Sequence, residues 1–203
     1  MTIRDLIKKE LQDGIDVKKK MLMTCIQAIE DGAVAIVETY YKKGGTVYTF
    51  GNGGSAADAQ HFADELLVML RTSDIPKDRL PLPAHALSTD SSVMTAIAND
   101  MGFENIFSRQ LEALAEERDL VVGFSTSGNS LNVVKGIQLA KSRGIKTIAF
   151  LGGNGGKLKS IADIVILIPS TDTPRIQECH VAAFHIMSSV LEAMLFREEG
   201  IEE

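Results

Sequence analysis

The sequence predicts an α/β sandwich in which a five-stranded parallel sheet carries helices on both faces, with a helical extension at the N-terminus. Short apolar runs rich in β-branched and aromatic residues alternate along the chain with stretches of helical periodicity. These runs are continuously apolar, which is typical of parallel strands covered on both faces. Polar, glycine-containing turns follow two of the runs, and sheets of this kind bind ligands at the carboxyl ends of their strands.

Residues 2–42 are predicted to form the helical extension, because apolar residues recur there at near-helical spacing. We expect Asp31-Gly32 to divide the extension into two helices, since a polar residue followed by glycine often ends a helix. An amphipathic helix outside a sheet commonly packs on a partner chain. The sequence therefore predicts one domain over residues 1–203, in which residues 1–43 pack on the core and on partner subunits.

The first strand and the turn after it give the strongest functional signal. Residues 46–50 are predicted to form a buried strand and 51–54 a glycine-rich turn, after which Ser55 is expected to cap a helix. Free N–H groups and the helix dipole make such a helix start an anion site. His61 and Glu65 share one face of this helix, about 9 and 15 Å along its axis from Ser55. A bound sugar phosphate would thus have a histidine and a carboxylate within reach.

The remaining elements follow in alternation. Residues 71–83 contain three prolines and are predicted to form a loop that serves as a flap or an interface segment. Further strands are predicted at residues 84–88, 119–125, 145–151 and 163–169. Further helices are predicted from about residues 90, 104, 131 and 173, with a polar turn over 99–102 and a helix end near 117.

A second polar turn follows the third strand. Residues 125–130 read Ser-Thr-Ser-Gly-Asn-Ser and precede a helix, so they could be an ordinary N-cap or a second anion site. Two such turns at carboxyl ends of strands favour the second interpretation. Neither turn carries the lysine of a nucleotide P-loop, so the expected anion is a sugar phosphate.

Two other glycine patterns differ from the nucleotide-binding motifs that they partly resemble. Residues 51–56 fit a dinucleotide-binding pattern, but no strand ending in an acidic residue follows at the usual distance, which argues against a nicotinamide cofactor. Residues 152–157 lack the spacing and the hydroxyl residue of a P-loop. They are expected to form a flexible turn after the fourth strand.

Composition excludes several classes of protein. The chain has 203 residues, a net charge of −6 and two distant cysteines, Cys25 and Cys179. The charge argues against a nucleic-acid scaffold, and the cysteines offer neither a disulfide framework nor a zinc-binding spacing. No apolar run reaches membrane length and no signal peptide is apparent, so a cytoplasmic location without membrane partners is expected. On the last helix we expect His180 to be structural, whereas Gln177 and His185 share one side.

Six motifs together resemble one known family. They are Gly51-Asn-Gly-Gly-Ser55, Asp58-Ala-Gln-His-Phe-Ala63, Ala98-Asn-Asp100, Phe107-Ser-Arg109, Ser125-Thr-Ser-Gly-Asn-Ser130, and Arg175-Ile-Gln-Glu178 with His185. Nearly the whole chain thus resembles the phosphoheptose (sedoheptulose 7-phosphate) isomerases of the SIS, or sugar isomerase, superfamily. The resemblance implies a three-layer SIS sandwich, a homotetramer with active sites between subunits, and zinc. The implied reaction converts D-sedoheptulose 7-phosphate to D-glycero-D-manno-heptose 7-phosphate for lipopolysaccharide, capsule or surface glycans.

The resemblance also implies roles for individual residues. The phosphate would be held by Ser55, Ser125, Thr126, Ser127 and Ser130. The rest of the substrate would contact Asn52, Gly53, Gly54, Glu65, Asn99, Asp100 and Gln177. Glu65 would be the base and His185 the acid of a proton transfer between C1 and C2 through an enediolate. One Zn²⁺ per subunit would be bound by His61, Glu65, Gln177 and His185.

The sequence departs from the family at Met69, where many members have an arginine. Two alternative functions are compatible with these motifs. A related SIS protein binds the replication initiator without catalysis, and residues 86–90 and 95–100 resemble it. In that relative the positions of Glu65 and His185 hold residues unable to do acid–base chemistry, so their presence here favours an enzyme. An SIS isomerase for a different phosphosugar is the other alternative.

Overall fold

The computed structural model describes residues 1–70 and 79–196. In this part of the chain a five-stranded parallel sheet has the order β2-β1-β3-β4-β5. The strands are β1 (Val47–Phe50), β2 (Ala84–Ala86), β3 (Leu120–Ser125), β4 (Lys146–Gly152) and β5 (Ile164–Ile168). Each lies within two residues of its predicted bounds, so the predicted parallel sheet is confirmed.

Helices cover both faces of the sheet, as predicted. They are α1 (Ile3–Thr24), α2 (Ile26–Tyr41), α3 (Gly54–Leu67), α4 (Ser91–Met101), α5 (Ser108–Leu114), α6 (Leu131–Ser142) and α7 (Thr173–Phe196). On one face, α2, α3 and α7 pack against inward residues such as Val122 and Phe150, and α1 lies against α7. On the other face, α4, α5 and α6 pack against residues such as Val121 and Ala149. Cys25 and Cys179 are buried and unpaired, as expected.

The break in the N-terminal extension lies at Cys25, and the prediction of a break at Asp31-Gly32 is wrong. Cys25 ends α1 and begins α2, while Gly32 lies inside α2. A Cβ at position 32 would lie 2.7 Å from Cε of Met187 in α7. Gly32 is therefore a close-packing residue that lets α2 approach α7.

Three other boundaries differ from the predictions. Residues 99–101 still belong to α4, which ends at Gly102 with a φ of +91°. The predicted helix over 104–117 is a 3₁₀ turn (Phe103–Asn105) followed by α5. The α5 helix ends at Leu114 because the Asp119 carboxylate accepts the backbone N–H of Glu116, which closes a turn into β3. Most of the predicted 71–83 loop lies outside the described residues.

Helix α7 is long and apolar enough to cross a membrane by length and composition, but half of that stretch is buried inside the fold. It is the helix that packs on α2 and α3 at the centre of one face. Its apolarity is thus that of a core helix.

Candidate active site

Helix α3 begins at the carboxyl end of β1, but its N-cap is Gly53 and the prediction of a Ser55 cap is wrong. Gly53 has a φ of +54° and a ψ of −122°, a conformation that residues with a Cβ rarely adopt. Its carbonyl accepts from the N–H groups of Ala56 and Ala57. Ser55 is buried in the first turn of α3. Gly54 starts the helix, so the glycine-rich turn passes directly into a helix N-terminus.

Asn52 is held by a residue that the sequence analysis missed. Its side-chain amide pairs with that of Asn132, each Nδ2 donating to the other's Oδ1 at 2.8 Å. Asn132 is buried in the first turn of α6, where its Oδ1 also accepts from the backbone N–H of Val133. The pair joins the loop after β1 to the helix start after β3. Nothing in the linear sequence connects positions 80 residues apart.

The second polar loop follows β3 and leads into α6. Ser125 is buried at the end of the strand, and its Oγ donates to Ser130 Oγ at 3.1 Å. Ser127 is exposed, and its Oγ accepts from the N–H of Asn129 at 3.2 Å. Thr126 is half-buried. A glycine-rich turn and a hydroxyl-rich turn thus lie at the ends of the adjacent strands β1 and β3, an arrangement suited to an anion.

The glycine-rich stretch over 152–157 packs against this second loop. The N–H of Leu158 donates to Gly128 O, and the N–H of Lys157 donates to Asn129 Oδ1, both at 3.1 Å. A Cβ on Gly128 would lie 1.9 Å from Gly155 O. The predicted turn after β4 is confirmed, its flexibility stays a prediction, and its contacts support the loop after β3.

His61, Glu65 and His185 converge at the contact between α3 and α7. Glu65 Oε1 lies 3.0 Å from His61 Nε2 and 3.5 Å from His185 Nε2. The two Nε2 atoms are 3.2 Å apart. Glu65 is the least accessible of the three, with a side chain 12% exposed against 43% for His61 and 36% for His185. The imidazoles thus face solvent while the carboxylate is held behind them.

Aromatic packing orients both imidazoles. The His61 and His185 rings lie edge-on to each other, and each lies edge-on to Phe184 at about 5 Å between centroids. Phe184 is fully buried and packs in turn on Phe62 of α3. The two histidines therefore pack on a buried apolar base.

The donor atoms suit a metal ion. One nitrogen from each imidazole and one carboxylate oxygen lie within 4.8 Å of one another. Two histidines and a glutamate are a usual ligand set for catalytic zinc, in which a fourth position stays open to water or substrate. The residues that are present thus fit the zinc ion that the family resemblance implies.

Gln177 lies at the other end of the α3–α7 contact. A Cβ on Gly54 would lie 2.3 Å from Gln177 Nε2, so the amide covers the first turn of α3. It precedes His185 by eight residues, about 12 Å along α7. Its role as fourth ligand stays a prediction. His180 is buried, and its Nε2 lies 3.3 Å from Leu151 O, which fits the structural role expected.

Asn99 and Asp100 lie in the last turn of α4, about 12–14 Å along that helix from its start near β2. Both are exposed, and Asn99 Nδ2 donates to Asp100 Oδ1 at 2.7 Å. Their contact with substrate stays a prediction.

Asp58 is a further residue that the sequence analysis did not assign. It is buried in α3, one turn before His61. Burial raises the pKa of its carboxyl to about 6, against a smaller opposing effect of His61. The signal available was an acidic residue one helical turn before His61 and two turns before Glu65.

Comparison with known proteins agrees with this geometry. Residues 11–152 match the family model described as SIS domain. A phosphoheptose isomerase from Trichlorobacter lovleyi is 48% identical over 194 residues, 96% of each chain. One from Aquifex aeolicus is 47% identical over 93% of this chain and 96% of the relative.

Solved structures give the same result. The phosphoheptose isomerase from Neisseria gonorrhoeae superposes with a TM-score of 0.87 at 35% identity, covering 94% of this chain and 99% of that one. The one from Francisella tularensis has a TM-score of 0.88 at 34% identity, over 95% and 99%.

Proposed function

This chain belongs to the SIS domain family, in its phosphoheptose isomerase group, and we propose that it is an aldose–ketose isomerase. It converts D-sedoheptulose 7-phosphate to D-glycero-D-manno-heptose 7-phosphate, which supplies heptose for lipopolysaccharide, capsule or another surface glycan. The observation that carries the proposal is the convergence of Glu65 Oε1 on two imidazoles, on a helix whose N-terminus forms an anion-binding turn. The relatives' names support this substrate.

The phosphate would occupy the space between the two polar loops. Backbone N–H groups at the starts of α3 and α6 favour a dianion, and the hydroxyl residues predicted for it lie in those turns: Ser55, Ser125, Thr126, Ser127 and Ser130. Asn52, locked by Asn132, would present its amide to the sugar in one fixed orientation. Binding the phosphate at the start of α3 would direct C1 and C2 along that helix towards Glu65.

The chemistry is a proton transfer. In the ketose, C1 carries the hydroxyl and C2 the carbonyl. Glu65 removes a proton from C1, which gives an enediolate across C1 and C2. His185 moves a proton from O1 to O2, and the proton held by Glu65 is returned to C2, which leaves an aldehyde at C1. Because Oε1 faces both imidazoles, Oε2 is the oxygen free to face the substrate carbon.

We propose Zn²⁺ as the metal of this site, bound by His61, Glu65 and His185, with Gln177 as the predicted fourth ligand. The donor set of two imidazoles and a carboxylate supports this choice. When bound, zinc would act as a Lewis acid that polarises the substrate oxygens.

The remaining proposals concern assembly and location. We infer one SIS domain over residues 1–203, a homotetramer in the cytoplasm, and active sites at subunit interfaces. Exposed apolar residues on α1 and α2 support the assembly. Asn99 and Asp100 are exposed in the last turn of α4, so they are accessible to a partner subunit.

The proposal is tested by following the C1 and C2 protons of sedoheptulose 7-phosphate by NMR in D₂O, with and without a chelator. We expect aldose product carrying deuterium at C2. Loss of turnover in the chelator arm, restored by added Zn²⁺, would support the metal. A folded, zinc-loaded protein that neither forms aldose nor exchanges the C1 protons would contradict the proposal.

A further inference from the structure

Arg79 and Glu192 form an ion pair that is fully buried. Neither side chain has exposed surface, and Arg79 Nε donates to Glu192 Oε1 at 2.8 Å. Buried ion pairs add little net stability compared with well-packed apolar residues, because both charges must be desolvated. A pair of this kind beside a candidate active site therefore calls for a role other than stability.

The guanidinium closes the end of α3. Arg79 Nη2 donates to Glu65 O at 2.8 Å, and both Nη atoms donate to Leu66 O at 3.1 and 3.2 Å. The last carbonyls of a helix have no partner inside the helix, and a cation there interacts favourably with the helix dipole. Arg79 thus holds the peptide of the residue whose carboxylate faces both imidazoles.

Glu192 carries this connection to α7. It lies seven residues after His185, two turns or about 10 Å along the helix. Its Oε1 also accepts from the backbone N–H of Leu70 at 3.0 Å, which holds the chain segment that leaves α3. Burial raises the pKa of the Glu192 carboxyl above its usual value. The Leu70 N–H and Arg79 offset only part of that rise. The pair therefore joins the backbone of Glu65 to the helix that carries His185.

We propose that Arg79 and Glu192 are positioning residues, which fix the Glu65 carboxylate relative to His185. The proposal rests on the isomerase function proposed above. Among the described residues, Arg79 reaches this triad of His61, Glu65 and His185 only through the Glu65 carbonyl, and neither Arg79 nor Glu192 contacts a side chain of the triad. They act by holding the end of α3 against α7, so their loss should disturb the chemical step more than substrate binding at the distant N-terminus of α3.

The test uses the double variant Arg79→Met/Glu192→Leu. A single substitution would leave a buried charge unpaired and could prevent folding, whereas an apolar pair of similar volume is often tolerated. We expect a cooperatively folded protein whose kcat is at least tenfold lower and whose KM is within about threefold of wild type, since a misplacement of about 1 Å can cost on the order of 100-fold in rate. The histidine ring NMR signals of His61 and His185 should shift in the metal-free protein.

The matched control is Ile145→Val. Ile145 is buried just before β4, at the amino end of the sheet and away from the triad. This substitution removes one buried methyl group, and it should leave kcat and the ring signals unchanged. A double variant with wild-type kcat and ring signals would overturn the proposal and leave the pair a purely structural role. If wild-type protein shows no turnover, the proposed function fails, while the ring signals still decide the role of the pair.

Discussion

Glu65 concentrates the chemistry of the site in one side chain. Its Oε1 is within 3.5 Å of both imidazoles, and the side chain is only 12% exposed. Replacing Glu65 by Gln keeps the size but removes the base, so kcat should fall about 10²- to 10⁴-fold with folding intact. The NMR assay in D₂O measures the rate, and circular dichroism measures the fold.

Asp64→Asn is the matched control for this substitution. Asp64 is the neighbouring carboxylate on α3 and is exposed. Removing the Asp64 carboxylate should leave kcat within about twofold of the wild-type value. Glu65→Gln protein that keeps more than a tenth of the wild-type kcat would contradict the assignment of Glu65 as the base.

His180 makes a pH-dependent contribution to stability. Burial lowers the pKa of its imidazole to about 4 from 6.5, against a smaller opposing effect of the Leu151 carbonyl. The unfolded chain therefore binds a proton between pH 6.5 and 4 that the folded chain does not, so stability falls as the pH drops through this range. The difference in pKa corresponds to about 3 kcal/mol of unfolding free energy. This stability is fully present above pH 6.5 and is lost as the pH falls to about 4.

This effect is measured by urea unfolding of wild-type and His180→Gln protein between pH 4 and 7. The substitution lowers stability at neutral pH, but it should flatten the dependence of the unfolding free energy on pH. Parallel pH profiles for the two proteins would show that His180 does not titrate as its burial requires.

At the scale of elements, the loop after β3 depends on its contact with the loop after β4. Gly128 has a φ of +65°, and a Cβ there would lie 1.9 Å from Gly155 O. Gly128→Ala should therefore displace the 125–130 loop, raise the KM for the sugar phosphate several-fold, and cost more than the roughly 1–2 kcal/mol of a left-handed alanine. Steady-state kinetics and thermal unfolding measure the two effects.

Gly44→Ala separates the backbone cost from the clash. Gly44 has a similar φ of +61°, but a Cβ there meets nothing within 4 Å. This control should lose only the stability that an alanine in the left-handed conformation costs, and its KM should not change. Equal losses of stability and unchanged KM in both variants would show that the contact between the two loops does not support substrate binding.

The central strands were predictable because they are buried on both faces and appear as continuous apolar runs, such as Leu120–Phe124. The predictions from neighbouring residues were wrong where a glycine allows close packing or adopts an unusual backbone angle. Gly32 resembles a helix break but permits the approach of α7, and Gly53 takes the cap position that a serine normally favours. In each case the tertiary contact or the exact φ decides, and neither is encoded in neighbouring residues.

Parts of the site were predictable for a similar reason. His61 and Glu65 are one helical turn apart, so their shared face follows from the sequence alone. His185 joined them only through the resemblance to a family, because it lies more than 100 residues away. Asn132, Arg79 and Glu192 act through long-range hydrogen bonds, for which the sequence carries no local pattern.

At the scale of the whole molecule, one surface of the chain is left strongly apolar. Between α1, α2 and α7 lies a groove lined mainly by aliphatic residues, namely Met21, Leu22, Ile26, Ile29, Ile186 and Val190. Leu22 and Ile26 are 67% and 59% exposed. A contiguous apolar surface of this kind marks an interface, which fits the proposed tetramer.

Substituting Leu22 and Ile26 together by Glu should therefore dissociate the assembly. Burying two carboxylates against apolar residues costs several kcal/mol, which exceeds what most interfaces tolerate. Light scattering after size exclusion should change from four chains to fewer. Turnover should fall with the mass, because the active sites are proposed to be shared between subunits.

Lys146→Glu controls for charge. It changes the net charge by the same two units at the start of β4, where the side chain is exposed, and it should leave both mass and turnover unchanged. A Leu22→Glu/Ile26→Glu protein that remains four chains would place the interface elsewhere on the molecule. A variant that dissociates yet keeps full turnover would show that each subunit holds a complete active site, and that Asn99 and Asp100 serve no partner.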